Sequence, residues 1–146
     1  MNANNENVLI SQLLTRDVIS INENKTIYNA IKLLTKNNIG ALPVLNNKME
    51  LCGIISERDI IREISNNISV NFNKSFICSI MTSVVITINK NIRSEDIMDI
   101  MSKNKIRHIP IVDNKLLLGI VSIGDVVKRL LEKFNLENQH LKSWLY

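Results

Sequence analysis

Two seven-residue runs of one pattern carry the side chains best suited to hold a ligand. Gly53-Ile54-Ile55-Ser56-Glu57-Arg58-Asp59 and Gly119-Ile120-Val121-Ser122-Ile123-Gly124-Asp125 each read glycine, two aliphatics, serine, two variable residues and aspartate. Ser-x-x-Asp at a strand-to-helix junction is capping chemistry. The serine oxygen accepts a backbone N–H, and the carboxylate favours the positive end of the helix dipole. The same atoms suit a second use. A helix N-terminus offers free N–H groups to an anion, the hydroxyl of Ser56 or Ser122 adds a donor, and the carboxylate of Asp59 or Asp125 offers two acceptors to a pair of ribose hydroxyls. The leading glycine permits close approach of a flat base to the backbone. Capping accounts for the serine and aspartate, but not for the glycine and two aliphatics ahead of both copies.

A second candidate is Lys103-x-Lys105-x-Arg107-His108, immediately before Ile109-Pro110. Arginine suits forked phosphate contacts. The two lysines read as a solvated turn, and a lone histidine here serves equally as a satisfied structural group. The corresponding positions upstream are Gly40 and Ala41, which carry no charge. The charge asymmetry predicts that the site of Asp125 and Ser122, served by Arg107 and His108, outweighs that of Asp59 and Ser56. Catalysis is not indicated. His108 and His140 share no metal-ligand spacing with each other or with Cys52 and Cys78, and neither a GxGxxG nor a Walker sequence is present. The two cysteines form no CxxC and lie in apolar stretches, which predicts buried, reduced thiols.

These motifs belong to a duplication. Ile39-Gly40-Ala41-Leu42-Pro43-Val44 and Ile106-Arg107-His108-Ile109-Pro110-Ile111 hold the chain's only 2 prolines, 67 residues apart, and Thr15 matches Thr82 at the same spacing. That period exceeds the usual solenoid repeat of roughly 20–50 residues and fits two subdomains packed together. The chain has 146 residues, and halves of about 60 would each be marginal alone, so burial between them is expected to matter. With aromatics at 4%, the core must be aliphatic. A net charge of +4, spread along the chain without aromatic interleaving, argues against nucleic-acid binding. The polar start, residues 1–6, reads as disordered and not as a signal peptide, and no apolar run is long enough to span a bilayer. A soluble, cytoplasmic protein is expected.

The elements that must position the motifs follow from periodicity. A short helix over Val8–Leu14 precedes a strand at Val18–Ile21. Thr26 caps a helix with Ile27, Ala30, Ile31 and Leu34 on one face, ended by Asn37-Asn38. Strands Ala41–Leu45 and Leu51–Ile55 flank a turn, and a helix from Ser56 buries Ile60, Ile61 and Ile64. The β-α-β-β-α order recurs: Val84–Ile88 extended, a helix from Ser94 with Ile97, Ile100 and Met101 inward, strands Ile109–Val112 and Leu117–Val121. The last helix uses Val126, Val127, Leu130, Leu131 and Phe134. A second amphipathic stretch holds Leu141, Trp144 and Leu145, either an oligomer contact or plain packing. The domain reading is repeat 1 over 8–67, a connection over 68–79, repeat 2 over 80–135 and a C-terminal helix over 136–146.

The doubled β-α-β-β-α order, the aliphatic-x-Pro strand and the doubled Gly-h-h-Ser-x-x-Asp, with h aliphatic, resemble the cystathionine β-synthase (CBS) domain family over residues 8–135. The fold class expected is α+β: two CBS subdomains related by pseudo-two-fold symmetry, with short terminal helices. The resemblance implies clefts that bind adenosyl ligands such as AMP, ADP, ATP, NAD(H) or S-adenosylmethionine. Asp59 and Asp125 would hold ribose, and Ser56 and Ser122 would face phosphate. Residues near Val18-Ile19 and Val84-Val85 would enclose the base, with Pro43 or Pro110 adjoining. It also implies a homodimer, and a regulatory module that senses an adenine nucleotide and signals to a separate protein. The alternatives are a ligand-free dimeric scaffold and a redox-linked regulator of thioredoxin-like partners.

Overall fold

The computed structural model describes residues 8–145. The start read from residues 1–6, the side chain of Leu145 and all of Tyr146 lie outside the described residues. Helix α1 spans Val8–Leu13, strand β1 Ile21–Asn22, α2 Ile27–Asn37, β2 Ala41–Leu45, β3 Leu51–Ser56 and α3 Glu57–Asn66. A 3-10 turn at Ile77–Ser79 leads to α4 (Ser94–Asn104), β4 (His108–Asp113), β5 (Leu116–Ser122) and α5 (Ile123–Leu145). Sequence signals explain the boundaries. Thr26 Oγ1 caps α2 together with Asn29, and Asn38 ends that helix in the left-handed conformation at φ 51°. Asn114 and Lys115, at φ 46° and 69°, turn β4 into β5 as a type I′ hairpin requires.

The first sheet runs β1-β2-β3, with β1 parallel to β2 and β2 antiparallel to β3. In the second half β4 and β5 pair antiparallel, and the first strand is reduced to a parallel bridge from Ile88 to Ile111. The extended runs expected at Val18–Ile21 and Val84–Ile88 therefore shrink. Most of their residues instead line clefts, where no neighbouring strand meets their backbone.

Each half completes the other's core. Leu9, Ile10 and Leu13 of α1 are buried with Ile88, Ile97, Met101, Ile109 and Val126 of the second repeat. Ile77, between the repeats, is buried with Ile27, Leu42, Val44 and Ile55 of the first, and Ile80 and Met81 pack beside it. Ile27 N–H donates to Ser75 O and Ile77 N–H to Lys25 O, both at 2.9 Å, so the Asn-rich connection is stitched along the first repeat. The exchange is reciprocal down to single positions. A Cβ on Gly53 would stand 2.5 Å from Met81 Sδ, and one on Gly119 would stand 3.6 Å from Leu14 Cδ2. Leu14 and Met81 are repeat equivalents.

Several apolar positions lie elsewhere than periodicity suggests. Ile60 and Val126 are buried, but Ile61, Ile64, Val127, Leu131 and Phe134 are exposed. One helix stripe covers the sheet, and the adjacent stripe of α3 and α5 stays uncovered within a single chain. No break separates residues 135 and 136, so the stretch read as a separate C-terminal helix is the continuation of α5. Cys52 is half-buried and Cys78 exposed, which corrects the expectation of two buried thiols; both are free. Among the described residues no helix is long and apolar enough to cross a membrane.

Candidate functional site

The two Ser-x-x-Asp junctions are built alike. Ser56 N–H and Oγ–H donate to Asp59 Oδ2 at 2.9 and 3.0 Å, and Asp59 N–H donates to Ser56 Oγ at 3.3 Å. The Ser122–Asp125 junction repeats this at 2.9, 2.9 and 3.2 Å. Capping is thus present in both copies. Each serine hydroxyl directs its proton to its own aspartate, so in this arrangement neither offers the donor to phosphate that the sequence suggested. The second carboxylate oxygen is where the copies differ. Asp59 Oδ1 accepts from Arg62 Nη1 and Thr82 Oγ1, both at 3.4 Å, and Asp59 is only 5% exposed. Asp125 Oδ1 accepts from Arg16 Nη1 at 3.2 Å.

Each carboxylate borders a cavity. The Asp59 cavity, about 270 Å³, is walled by Ile54, Val84, Val85 and Ile86 and edged by Ser56, Arg58, Arg62, Lys105, Arg107 and His108. The Asp125 cavity, about 370 Å³, is walled by Val18, Ile19, Ile39 and Ile120 and edged by Ser122, Arg16, Asp17 and His108. The first lies just below, and the second just inside, the roughly 300–1,000 Å³ typical of small-molecule sites. Asp59 and Ser56 therefore meet Val84 and Val85, whereas Asp125 and Ser122 meet Ile19, so each cavity joins the helix start of one repeat to the leading segment of the other.

That crossing corrects the grouping expected from charge asymmetry. Arg107 borders the Asp59 cavity and not the Asp125 cavity. Its carbonyl is held by Ile123 N–H at 2.8 Å in the second repeat, while the Lys105 carbonyl, two residues earlier, accepts from Arg58 Nη1 of α3 at 3.5 Å. The segment before β4 thus lies across the start of α3. The Asp59 cavity gathers four fixed cations, Arg58, Arg62, Lys105 and Arg107, against Glu57 and Asp59. The Asp125 cavity sets Arg16 against Asp17 and Asp125. Cationic side chains outnumber carboxylates in the lining of the first cavity, and carboxylates outnumber cationic side chains in that of the second.

His108 borders both cavities. Burial lowers its pKa below the usual histidine value; Glu57 and Asp125 pull the other way, and Arg107 and Arg58 reinforce the depression. Pro43 and Pro110 are buried in β2 and β4 and line neither cavity, because each is paired across its hairpin, with Ile54 and Ile120. Those partners reach the cavities instead. Gly53 does not admit a base either, since Met81 occupies the space in front of it. Thr82 and Arg16 were not singled out as site residues. The Thr15–Thr82 match was the available signal, because it marks the segment that crosses to the other repeat.

A larger open groove, about 790 Å³, lies over β1 and α2 among Lys25, Lys32 and Lys36. It contains no carboxylate and none of the duplicated motif residues. Among the described residues no group of three His, Cys, Asp or Glu side chains could hold a metal ion.

Two exchanged β-α-β-β-α halves with a capped Ser-x-x-Asp at each cleft define a tandem α+β pair. A family model for the CBS domain matches residues 10–66 and 77–132, and the chain belongs to that family. It is 37% identical over 125 residues to the mitochondrial CBS domain-containing protein CBSX3 of Arabidopsis thaliana, covering 82% of this chain and 60% of that protein. The chain thus spans less than two thirds of that relative. It is 30% identical over 117 residues to the CBS domain-containing protein YhcV of Bacillus subtilis, covering 80% and 81% of the two chains. The CBS domain pair of protein MJ0100, solved in complex with 5-methylthioadenosine and S-adenosyl-L-methionine, superposes with a TM-score of 0.76 at 31% identity, covering 86% of this chain and 98% of that one.

Proposed function

We propose that this CBS pair is a regulatory module that binds AMP in the Asp59 cavity and reports occupancy to a partner protein. The observation that carries the reading is the meeting of a ribose acceptor, an apolar wall and a cationic rim in one cleft. Asp59 Oδ1 accepts from Thr82 and Arg62, which a ribose diol would displace; Val84, 88% exposed, lines the same cavity and would meet the base, and Arg107 and Arg58, also in its lining, would take the 5′-phosphate. Guanidinium groups suit a phosphate through paired charge-assisted hydrogen bonds. A volume of about 270 Å³ fits a mononucleotide better than a dinucleotide.

The Asp125 cavity, without the cationic excess, suits an adenosyl group lacking phosphate. The ligands of MJ0100 are of that kind, one uncharged at its thioether and one a sulfonium. Because each cavity spans both repeats, a ligand that tightens one cleft shifts their relative packing, and a partner that reads that packing responds. The uncovered stripe of Ile61, Ile64, Val127 and Leu131 supports a homodimer as the assembled form.

Calorimetric titration with AMP, adenosine and GMP tests the reading. AMP should bind more tightly than adenosine through the cationic rim, and more tightly than GMP. Equal affinity for AMP and adenosine would remove the phosphate from the account, and no binding by any of the three would leave the dimeric scaffold.

A further inference from the structure

Helix α5 outlasts the repeat to which it belongs. Its first three turns pack through Val126, Arg129 and Leu130, and Lys133 Nζ donates to Glu95 Oε1 at 3.0 Å. From Phe134 to Trp144 every residue is exposed. A 23-residue helix is about 34 Å long, so about half of it projects beyond the body. A projecting helix of that length is marginal in water unless something packs on it, yet Phe134 is 61% and Leu141 62% exposed.

The spacing along this helix says what covers it. Val127, Leu131, Phe134, Asn138 and Leu141 alternate four and three residues apart, the d and a positions of a coiled-coil seam. In that register Val126, Arg129, Leu130 and Lys133, which face the chain's own second repeat, fall on c, f, g and c. The seam therefore faces away from the body and continues into the projecting half. Glu137 falls on g and Lys142 on the following e. Five residues apart, they do not meet on one helix, but they stand opposite each other between two parallel copies. Asn138 falls on a, where an asparagine faces its own counterpart only if the helices run parallel and in register. Leu136 falls on f, off the seam.

We infer that the projecting half of α5 pairs with the same segment of a second copy of this chain, forming a parallel, in-register two-stranded coiled coil. Its two-fold axis runs along α5 and brings the second repeat of each copy beside the second repeat of the other. None of the seam residues borders either cavity, so the inference stands or falls separately from nucleotide binding.

The test uses the full chain with Cys52→Ser and Cys78→Ser. Phe134→Cys and Leu141→Cys should each give covalent dimers under mild oxidation at least about tenfold faster than Leu136→Cys, because only parallel register brings both d positions onto themselves. An antiparallel pair would favour at most one of them, and that result would overturn the inference. Because cysteine on the seam also weakens it, charge exchange supplies a second measurement. Glu137→Lys or Lys142→Glu alone should raise the dimer dissociation constant about fivefold or more, and the double exchange should restore it to within about twofold. Failure of the double exchange to restore dimerisation equally overturns it.

Discussion

The imidazole of His108 lies against Gly40, where a Cβ would stand 3.2 Å from its Cε1 and 3.5 Å from its Nε2. The repeat equivalent of Gly40 is Arg107, so the duplication has diverged in opposite senses at one position. One copy has no side chain there and admits a ring from the other half, and the other carries a cation. The ring becomes a wall shared by both cavities, and its charge state is felt on both sides.

Acid sensitivity follows from that burial. The His108 pKa is lowered in the folded state, chiefly by desolvation, so below about pH 6.5 the unfolded chain holds more protons than the folded one. Stability from this group is full above that pH and declines as pH falls toward the folded-state value. Urea denaturation at pH 7.5 and 5.5 should show a smaller loss for His108→Gln than for the parent. Identical losses would assign the sensitivity to carboxylates.

Asp59→Asn should weaken AMP binding more than Asp125→Asn, the reverse of what charge asymmetry along the sequence implied, because Arg107 stands with Asp59. Loss of a charged acceptor for ribose hydroxyls should cost about 1.5–3 kcal/mol, roughly ten- to a hundredfold in affinity. Arg107→Ala should weaken AMP by a similar factor and adenosine by less than about threefold. Calorimetric titration of the three variants decides between the cavities.

The serines should matter to stability and little to the ligand. Ser56→Ala and Ser122→Ala each remove an N-cap and should cost about 0.5–2 kcal/mol in chemical denaturation without ligand. With the Ser56 hydroxyl already directed to Asp59 Oδ2, AMP affinity of folded Ser56→Ala should change by less than about threefold. A larger change would mean that the hydroxyl turns to the phosphate on binding.

Thiol chemistry should be unequal. Burial and the Glu23 carboxylate, whose Oε2 lies 3.3 Å from Sγ, push the Cys52 thiol up to about 11. At neutral pH it holds almost no thiolate, the reactive form, whereas Cys78 is exposed. Iodoacetamide labelling followed by peptide mass spectrometry should find Cys78 modified well before Cys52. Rapid labelling of Cys52 would revive the redox reading.

The exchanged core should make the halves unfold together. Ile77→Ala, at a fully buried position, should cost about 2–5 kcal/mol and leave a single calorimetric transition whose van't Hoff and calorimetric enthalpies agree. Two transitions, or a calorimetric enthalpy above the van't Hoff value, would show independent halves.

Local rules made most elements legible. Thr26 and Asn38 bracket α2, Asn114 marks the second hairpin, and the doubled Ser-x-x-Asp located both helix starts. What the chain concealed was which half each segment joins. Residues around Val84 continue the second repeat in sequence but border the first repeat's Asp59, and no periodicity carries that information. The sidedness of α3 and α5 was hidden for a related reason. Ile61 and Val127 fit an apolar helix face as well as Ile60 and Val126 do, and only the sheet's position separates covered from uncovered.

The exchange of leading segments also sets when this protein can fold during its synthesis. Leu9, Ile10 and Leu13 are buried with Ile109, Val121 and Val126, so α1 leaves the ribosome about a hundred residues before its binding surface exists. At roughly 5–20 residues per second the delay is about 5–20 s. Through that interval Leu9, Ile10 and Leu13 have no core to enter. The first repeat can close once Ile77 emerges, but the second waits for a helix already long exposed. Nascent-chain folding should therefore proceed in sequence order for one half and by late capture of α1 for the other.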